Sequence, residues 1–195
     1  MIIYLMRHGE TDLNRGIRLQ GSTDAPLNEK GIGQAVTAGQ RIREKGLVID
    51  HVITSPLQRA IRTAELATGL DRSCFEVEPR VREMDYGPYD GKKILRLNLK
   101  VLSFLRAPHR KPTPPGIESV DAVYDRVADF LNEMRQRTDH DSVLVVTHGI
   151  AMHVMMGVLQ ELSSEEIWKD RFSIENCAVY RTEVTETGFT KPVLV

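Results

Sequence analysis

Short, continuously apolar segments alternate along this chain with stretches whose apolar residues recur at helical spacing. The apolar segments predict strands at residues 2–6, within 48–54, at 75–78 and 143–146, with two closing strands at 177–184 and 189–195. The other stretches predict helices from Asn28 to about Gly46, from Pro56 to about Gly69, from Ser119 through Met134, and from His148 to about Gln160. This alternation predicts an α/β fold, a three-layer sandwich with a mostly parallel central sheet and helices on both faces.

Composition narrows the class of protein. We expect residues 1–195 to form a single domain, because 41% of them are hydrophobic, enough for a sizeable core. The 26 basic residues nearly balance the 27 acidic ones, which argues against a nucleic-acid partner. No apolar run approaches the ~20 residues that cross a bilayer, so we expect no membrane partner. The first residues lack a signal-peptide pattern and there are two cysteines, so a cytoplasmic location is expected.

Arginine and histidine residues, which can bind anions or take part in catalysis, follow three of the predicted strands. Arg7 and His8 follow the first strand, Arg59 follows the second, and His148 follows a later one. Ligands of parallel sheets bind beyond the carboxyl ends of the strands, so these four side chains are expected to meet at one edge.

Two arginines and two histidines around one point suit a phosphoryl group. Guanidinium groups match phosphate oxygens, a neutral imidazole can be a nucleophile, and a second imidazole can donate to developing negative charge. Glu83 follows the weak third strand at the same edge and is a candidate proton donor, since nearby phosphate favours a protonated carboxyl. The arginines neutralise charge that Mg²⁺ would otherwise carry, so neither a metal nor a cofactor is expected.

The chain resembles the histidine phosphatase superfamily, also called the phosphoglycerate-mutase-like family. The matching blocks come in family order and cover the chain to about residue 150. They are Arg7-His8-Gly9-Glu10-Thr11, the loop from Asn14 to Leu27, Ser55 to Ala64, Glu83 to Gly91, Gly116 to Ser119, and Thr147-His148-Gly149.

The resemblance implies a role for each matching residue. His8 would be the nucleophile that becomes phosphohistidine, and Glu83 would protonate the leaving oxygen and later activate water. The phosphoryl oxygens would be held by Arg7, Arg59 and His148. The remaining candidates for phosphate or substrate contacts are Asn14, Gln20, Gly21, Ser22, Tyr86 and the Gly149 backbone.

Both phosphatases and mutases occur in this family. Cofactor-dependent mutases typically read Glu-Arg-His-Tyr-Gly in the acid block, whereas this chain has Met84 and Asp85 after Glu83. That pattern resembles the phosphatase branch, which often ends Trp-Glu-Gly where this chain has Tyr89, Asp90 and Gly91. The expected activity is therefore phosphomonoester hydrolysis on a small-molecule substrate. A bisphosphoglycerate-dependent phosphoglycerate mutase and a phosphate-binding regulatory protein without turnover remain alternatives, and either a monomer or a homodimer is compatible with the sequence.

Residues 91–117 carry seven basic side chains and no acidic one. We expect this segment to form a helical lid that ends in a Pro-rich loop, with Lys92, Lys93 and Arg96 as possible contacts to anionic substrates. The alternatives are a solvated basic face on a packed insertion and a helix that binds a membrane surface or a partner.

Overall fold

A computed structural model describes residues 1–169 and 174–195. The strands are β1 (Ile2–Arg7), β2 (His51–Thr54), β3 (Glu76–Val77), β4 (Ser142–Thr147), β5 (Val179–Glu183) and β6 (Val193–Leu194). The α-helices are α1 (Asp12–Arg15), α2 (Glu29–Glu44), α3 (Gln58–Thr68), α4 (Leu99–Arg106), α5 (Val120–Gln136), α6 (Gly149–Val158) and α7 (Ser164–Ile167).

The strands form one sheet in the order β3-β2-β4-β1-β5-β6. The pairings from β3 to β1 are parallel, and β5 and β6 add antiparallel strands at the other edge. The carboxyl ends of β1, β2 and β4 therefore lie side by side, with Arg7 paired to Thr147 and Thr54 to Val146.

Alternation along β1 builds a core on each face of the sheet. Ile3 and Leu5 pack into the cluster that includes α4, α5 and α6, whereas Tyr4 and Met6 pack into the cluster that includes α2 and α3. Each fully buried side chain of this size contributes roughly 1.5–3 kcal/mol. The predicted α/β fold, with helices on both faces of a mostly parallel sheet, is confirmed.

Two predicted helix starts are confirmed and one is displaced. The side chains of Asn28 and Ser119 cap α2 and α5, accepting from backbone N–H groups at 2.9 and 3.1 Å. Pro56 was expected in the first turn of α3, but that helix begins at Gln58. Its cap comes from a distant loop, because Asp24 Oδ1 accepts from the Gln58 N–H at 2.7 Å.

The last predicted strand, 189–195, is shorter than expected. At Thr190, side-chain hydrogen bonds replace part of the regular backbone pairing with β5. The Thr190 Oγ1 accepts from the Glu183 N–H at 2.8 Å, and the Thr190 carbonyl accepts from Thr182 Oγ1 at 2.6 Å. Pro192 has no N–H to donate, so regular pairing is limited to β6.

The 91–117 segment does contain a helix, α4, whose Val101 and Phe104 are buried in the core. This insertion is thus packed onto the domain through its apolar side. None of the helices in the two described ranges has both the length and the apolarity needed to span a membrane.

Candidate active site

His8 lies in the loop directly after β1 and is 2% exposed. Its Nδ1 is 2.7 Å from the carbonyl oxygen of Gly9, which can only accept, so Nδ1 carries the ring proton and Nε2 keeps its lone pair. Burial and the charges of Arg59 and Arg7 lower the pKa of His8 well below 6.5. The ring is therefore held neutral, with Nε2 in the state that a nucleophile needs.

The His8 loop is held by a close backbone approach. A Cβ atom added at Gly9 would lie 2.5 Å from the carbonyl oxygen of Gly31, at the start of α2. The Gly9 N–H donates to Thr63 Oγ1 at 3.0 Å, so α3 fixes the loop as well. Only glycine allows the loop to lie this near to α2.

Arg7 presents its guanidinium beside the N-terminus of α6. Nη1 donates to the Ile174 carbonyl at 2.6 Å. Nε is buried and has no hydrogen-bond partner within the described ranges. A Cβ added at Gly149 would lie 3.6 Å from Arg7 Nε and 3.6 Å from Glu83 Oε2, so guanidinium, carboxyl group and helix N-terminus converge there. An unpartnered buried donor beside a helix N-terminus is suited to bind an anion.

Arg59, in the first turn of α3, is completely buried. It donates to the carbonyls of Thr23 at 2.8 Å and Gly21 at 2.9 Å, and through Nε to His148 Nδ1 at 3.1 Å. Burial lowers its pKa, and the negative charge of Glu83 opposes that effect. A buried cation held mainly by neutral acceptors favours an anionic ligand.

His148, the N-cap of α6, lies beside His8 with ring centroids 5.0 Å apart. Because Nδ1 accepts from Arg59, the proton is on Nε2, which donates to Ser55 Oγ at 2.6 Å. Burial and the charge of Arg59 lower the pKa of His148 well below 6.5. Both ring nitrogens are thus bonded to protein groups in this structure, and a direct bond from His148 to phosphate stays a prediction.

Glu83 is 7% exposed and lies at the N-terminus of α6. Its Oε1 accepts from the N–H groups of Met84, Ile150 and Ala151 at 3.0–3.1 Å. This arrangement places a carboxyl group next to Gly149 and Arg7, at the same edge of the sheet as His8.

Side chains from α5 and β4 hold the segment before Glu83 by hydrogen bonds to its carbonyl groups. Arg126 Nη1 donates to the carbonyls of Arg80 and Arg82 at 2.6 and 2.8 Å, and Thr147 Oγ1 donates to the Val81 carbonyl at 2.6 Å. These long-range bonds explain how a residue after a two-residue strand reaches the site.

Asn14 lies within α1, and Gln20 lies on the loop that follows this helix. Thr11 caps α1, and its backbone N–H donates to Asn14 Oδ1 at 3.2 Å, so the Asn14 amide nitrogen remains for other partners. Thr11 Oγ1 donates to Gln20 Oε1 at 2.8 Å. The Gln20 Nε2 group is buried, with no partner in the described part of the chain, as expected of a ligand donor.

Gly21 and Tyr86 bring this loop against the acid segment. A Cβ at Gly21 would lie 2.5 Å from the Met84 carbonyl oxygen and 3.1 Å from Tyr86 Cδ2. Ser22, by contrast, is exposed.

The three basic lid candidates are all exposed. Their segment lies along the loop that leads to Gln20, because Leu19 N–H donates to the Lys92 carbonyl at 3.0 Å and Lys93 pairs with Arg18. The Lys92 ammonium lies 5.1 Å from the centroid of the Tyr89 ring. Contacts from Lys92, Lys93 or Arg96 to substrate therefore stay predictions.

The structure adds residues that the sequence did not single out. Asn176 Nδ2 donates to the His8 carbonyl at 2.7 Å, and Cys177 N–H donates to the Arg7 carbonyl at 2.9 Å. Asp90 holds the loop that contacts Arg59. These partners are far apart in sequence, so no spacing could have indicated them.

Comparison with known proteins agrees with this geometry. The family model described as histidine phosphatase superfamily (branch 1) matches residues 3–194. The chain belongs to this superfamily. A curated relative, the probable phosphoglycerate mutase GpmB of Erwinia tasmaniensis, is 32% identical over 185 residues, covering 93% of this chain and 84% of the relative.

Solved histidine phosphatase folds are also similar. The phosphoserine phosphatase of Entamoeba histolytica, in complex with 3-phosphoglyceric acid, has a TM-score of 0.80 and 25% identity, with 100% of this chain and 94% of that chain covered. The α-ribazole phosphatase of Shigella flexneri has a TM-score of 0.86 and 24% identity, with 100% and 96% covered, and this likeness shows the shared fold alone.

Proposed function

We propose that this histidine phosphatase superfamily member is a cytoplasmic, metal-independent phosphomonoester hydrolase that works through a phosphohistidine at His8. The observation that carries the proposal is the bond from His8 Nδ1 to the Gly9 carbonyl, which leaves a buried, neutral Nε2 as nucleophile. Arg7 and Gln20 add buried donors that lack protein partners in the described residues, and a phosphoryl group would satisfy both.

In the first half-reaction, His8 Nε2 attacks phosphorus and the bond from phosphorus to the ester oxygen breaks. Glu83, acting as general acid, gives a proton to the departing oxygen and becomes a carboxylate. The guanidinium groups of Arg7 and Arg59 stabilise the charge on the equatorial oxygens, and this role needs no metal ion.

In the second half-reaction, the Glu83 carboxylate takes a proton from a water molecule as the water oxygen attacks phosphorus. The bond from phosphorus to His8 Nε2 then breaks, which releases inorganic phosphate and restores the neutral ring. Glu83 ends protonated, as it began, so the cycle closes.

Phosphoglycerate mutase is the second candidate, since the Erwinia relative bears that name. In a mutase the phosphoryl group passes to a second substrate hydroxyl instead of water. The segment after Glu83 favours hydrolysis here, because Met84 and Asp85 stand where cofactor-dependent mutases typically have Arg-His.

For the substrate, we propose a small phosphorylated metabolite that carries a second anionic group. The exposed basic side chains of Lys92, Lys93 and Arg96 would attract it to the site. Phosphoglycerates, phosphoserine, sugar phosphates and α-ribazole phosphate are the compounds to compare.

The test is phosphate release from a panel of phosphomonoesters in the presence of EDTA. Wild type and a His140→Ala control are expected to release phosphate, and His8→Ala is expected to release none. His140 stacks on His51, at the opposite ends of β2 and β4 from the site. Release that survives His8→Ala would refute the nucleophile. Interconversion of phosphoglycerates that requires a bisphosphoglycerate primer, without net hydrolysis, would favour the mutase.

A further inference from the structure

The loop from residue 20 to residue 24 forms one side of the site. Its backbone N–H groups donate to a carboxylate, and its carbonyl groups accept from a guanidinium. On one edge, the Asp90 carboxylate accepts from the Gly21 N–H at 2.7 Å, the Thr23 N–H at 2.6 Å and Thr23 Oγ1 at 2.8 Å. Asp90 lies outside the reaction centre, at the base of the 91–117 insertion.

The other edge of the same loop faces the catalytic arginine. The carbonyls of Gly21 and Thr23 accept from the two terminal nitrogens of Arg59 at 2.9 and 2.8 Å. Arg59 is completely buried, so the direction of its guanidinium is set by these two carbonyls and by His148.

We propose that Asp90 is a positioning residue for Arg59. Its two carboxylate oxygens hold the Gly21 and Thr23 N–H groups, which turns the carbonyls of those residues toward the guanidinium. Arg59 is then held in place before substrate arrives, and its remaining N–H groups are free to bind phosphoryl oxygens.

The chemistry requires a carboxylate at this position. Asp90 Oδ1 faces the N–H groups of Gly21 and Gly91, and Oδ2 faces that of Thr23. An asparagine has the same shape but one acceptor oxygen, so its NH₂ group would face an N–H donor. Asp90→Asn should therefore release one edge of the loop without changing the packing, whereas Asp90→Glu keeps both acceptor oxygens.

This inference rests on the proposed function, and two measurements distinguish a failure of the inference from a failure of the proposed function. The first is kcat/KM on the best substrate of the panel, and the second is binding of inorganic phosphate by calorimetry, which needs no turnover. Asp90→Asn should lower kcat/KM about 100-fold, the loss typical of a misplaced catalytic group. It should also weaken phosphate binding about 10-fold, with Asp90→Glu retaining most of both.

Asp71→Asn is the control for the loss of a carboxylate charge, because Asp71 accepts from the N–H and hydroxyl of Ser73 through Oδ1 alone and an asparagine keeps that oxygen. A double variant tests the route through Arg59. If Asp90 acts through the guanidinium, adding Asp90→Asn to Arg59→Lys should cost less than about 3-fold more than Arg59→Lys alone.

Three results would overturn the inference: wild-type values for Asp90→Asn in both readouts, full additivity with Arg59→Lys, or an equal loss in Asp71→Asn. Wild-type protein that binds phosphate but hydrolyses no ester would refute the proposed function, and phosphate affinity would still decide the role of Asp90. Wild-type protein that binds no phosphate would refute both.

Discussion

Replacing Glu83 by glutamine separates the proton donor from the fold that holds it. The glutamine amide oxygen can accept from the N–H groups of Ile150 and Ala151, as Glu83 Oε1 does at 3.1 Å. The variant loses the negative charge at the N-terminus of α6, which is worth about 0.3–1 kcal/mol and up to ~2 kcal/mol in a partly buried position. It also loses the acceptor Oε2, which faces the Ile150 N–H at 3.2 Å, and the charge that opposes the lowering of the pKa of Arg7 and Arg59 by burial. Glu83→Gln is therefore expected to fold.

The effect on catalysis should be much larger. Loss of a general acid typically lowers the rate about 10²- to 10⁴-fold, which corresponds to about 2.7–5.4 kcal/mol of transition-state stabilisation. The loss in the first half-reaction should depend on the leaving group, because an alkoxide needs a proton to depart and p-nitrophenolate does not.

Rapid-mixing kinetics with excess substrate measure this difference. With p-nitrophenyl phosphate, Glu83→Gln should give a burst of about one equivalent of nitrophenolate and then slow turnover, since the second half-reaction also lacks its base. With 3-phosphoglycerate, or another alkyl ester that wild type hydrolyses, no burst is expected.

Glu78→Gln is a suitable control, because Glu78 is another buried carboxylate that accepts from a backbone N–H, that of Arg80 at 2.8 Å. Equal losses of the first half-reaction on both esters, or wild-type turnover by Glu83→Gln, would refute the assignment of Glu83 as proton donor.

Two further predictions follow from charge. Changing Lys92, Lys93 and Arg96 together to Gln should raise KM for substrates with a second anionic group more than for p-nitrophenyl phosphate. The control changes the exposed Arg41, Arg43 and Lys45, at the C-terminal end of α2, in the same way. Equal losses on both substrates would contradict a lid contact. Burial lowers the pKa of His8 and His148 below 6.5, so below that pH the unfolded chain binds protons that the folded chain does not. As the pH decreases below 6.5, the free energy of unfolding should therefore fall by up to about 1.4 kcal/mol per pH unit for each histidine. Urea titrations at several pH values should show that the stability of His148→Gln depends less steeply on pH than that of wild type. An unchanged pH dependence would contradict the buried neutral state.

The fold, and the placement of Arg7, His8 and His148 at one edge of the sheet, could be predicted from the sequence because both depend on local pattern. The catalytic roles of these residues stay predictions. The apolar run before Arg7 and the one before His148 indicate parallel strands, whose ends must meet at one edge. The caps at Asn28 and Ser119 were readable because the capping bond spans three residues.

The sequence could not predict the contacts that orient the site, because they join distant segments. Asp24 caps α3 across 34 residues, and Asn176 reaches the His8 carbonyl across 168. The protonation states of His8 and His148 depend on which atom faces each ring nitrogen, and only the folded chain determines that.

Trapping the covalent intermediate tests the central claim most directly. Wild-type protein mixed with a phosphomonoester that it hydrolyses, quenched in alkali and digested, should yield a peptide containing His8 that carries one acid-labile phosphoryl group. With p-nitrophenyl phosphate, Glu83→Gln should accumulate more of this peptide than wild type, because the departing nitrophenolate needs no proton while the second half-reaction is slowed. A phosphoryl group on any other residue, or hydrolysis without a phosphorylated peptide in either protein, would contradict nucleophilic catalysis by His8.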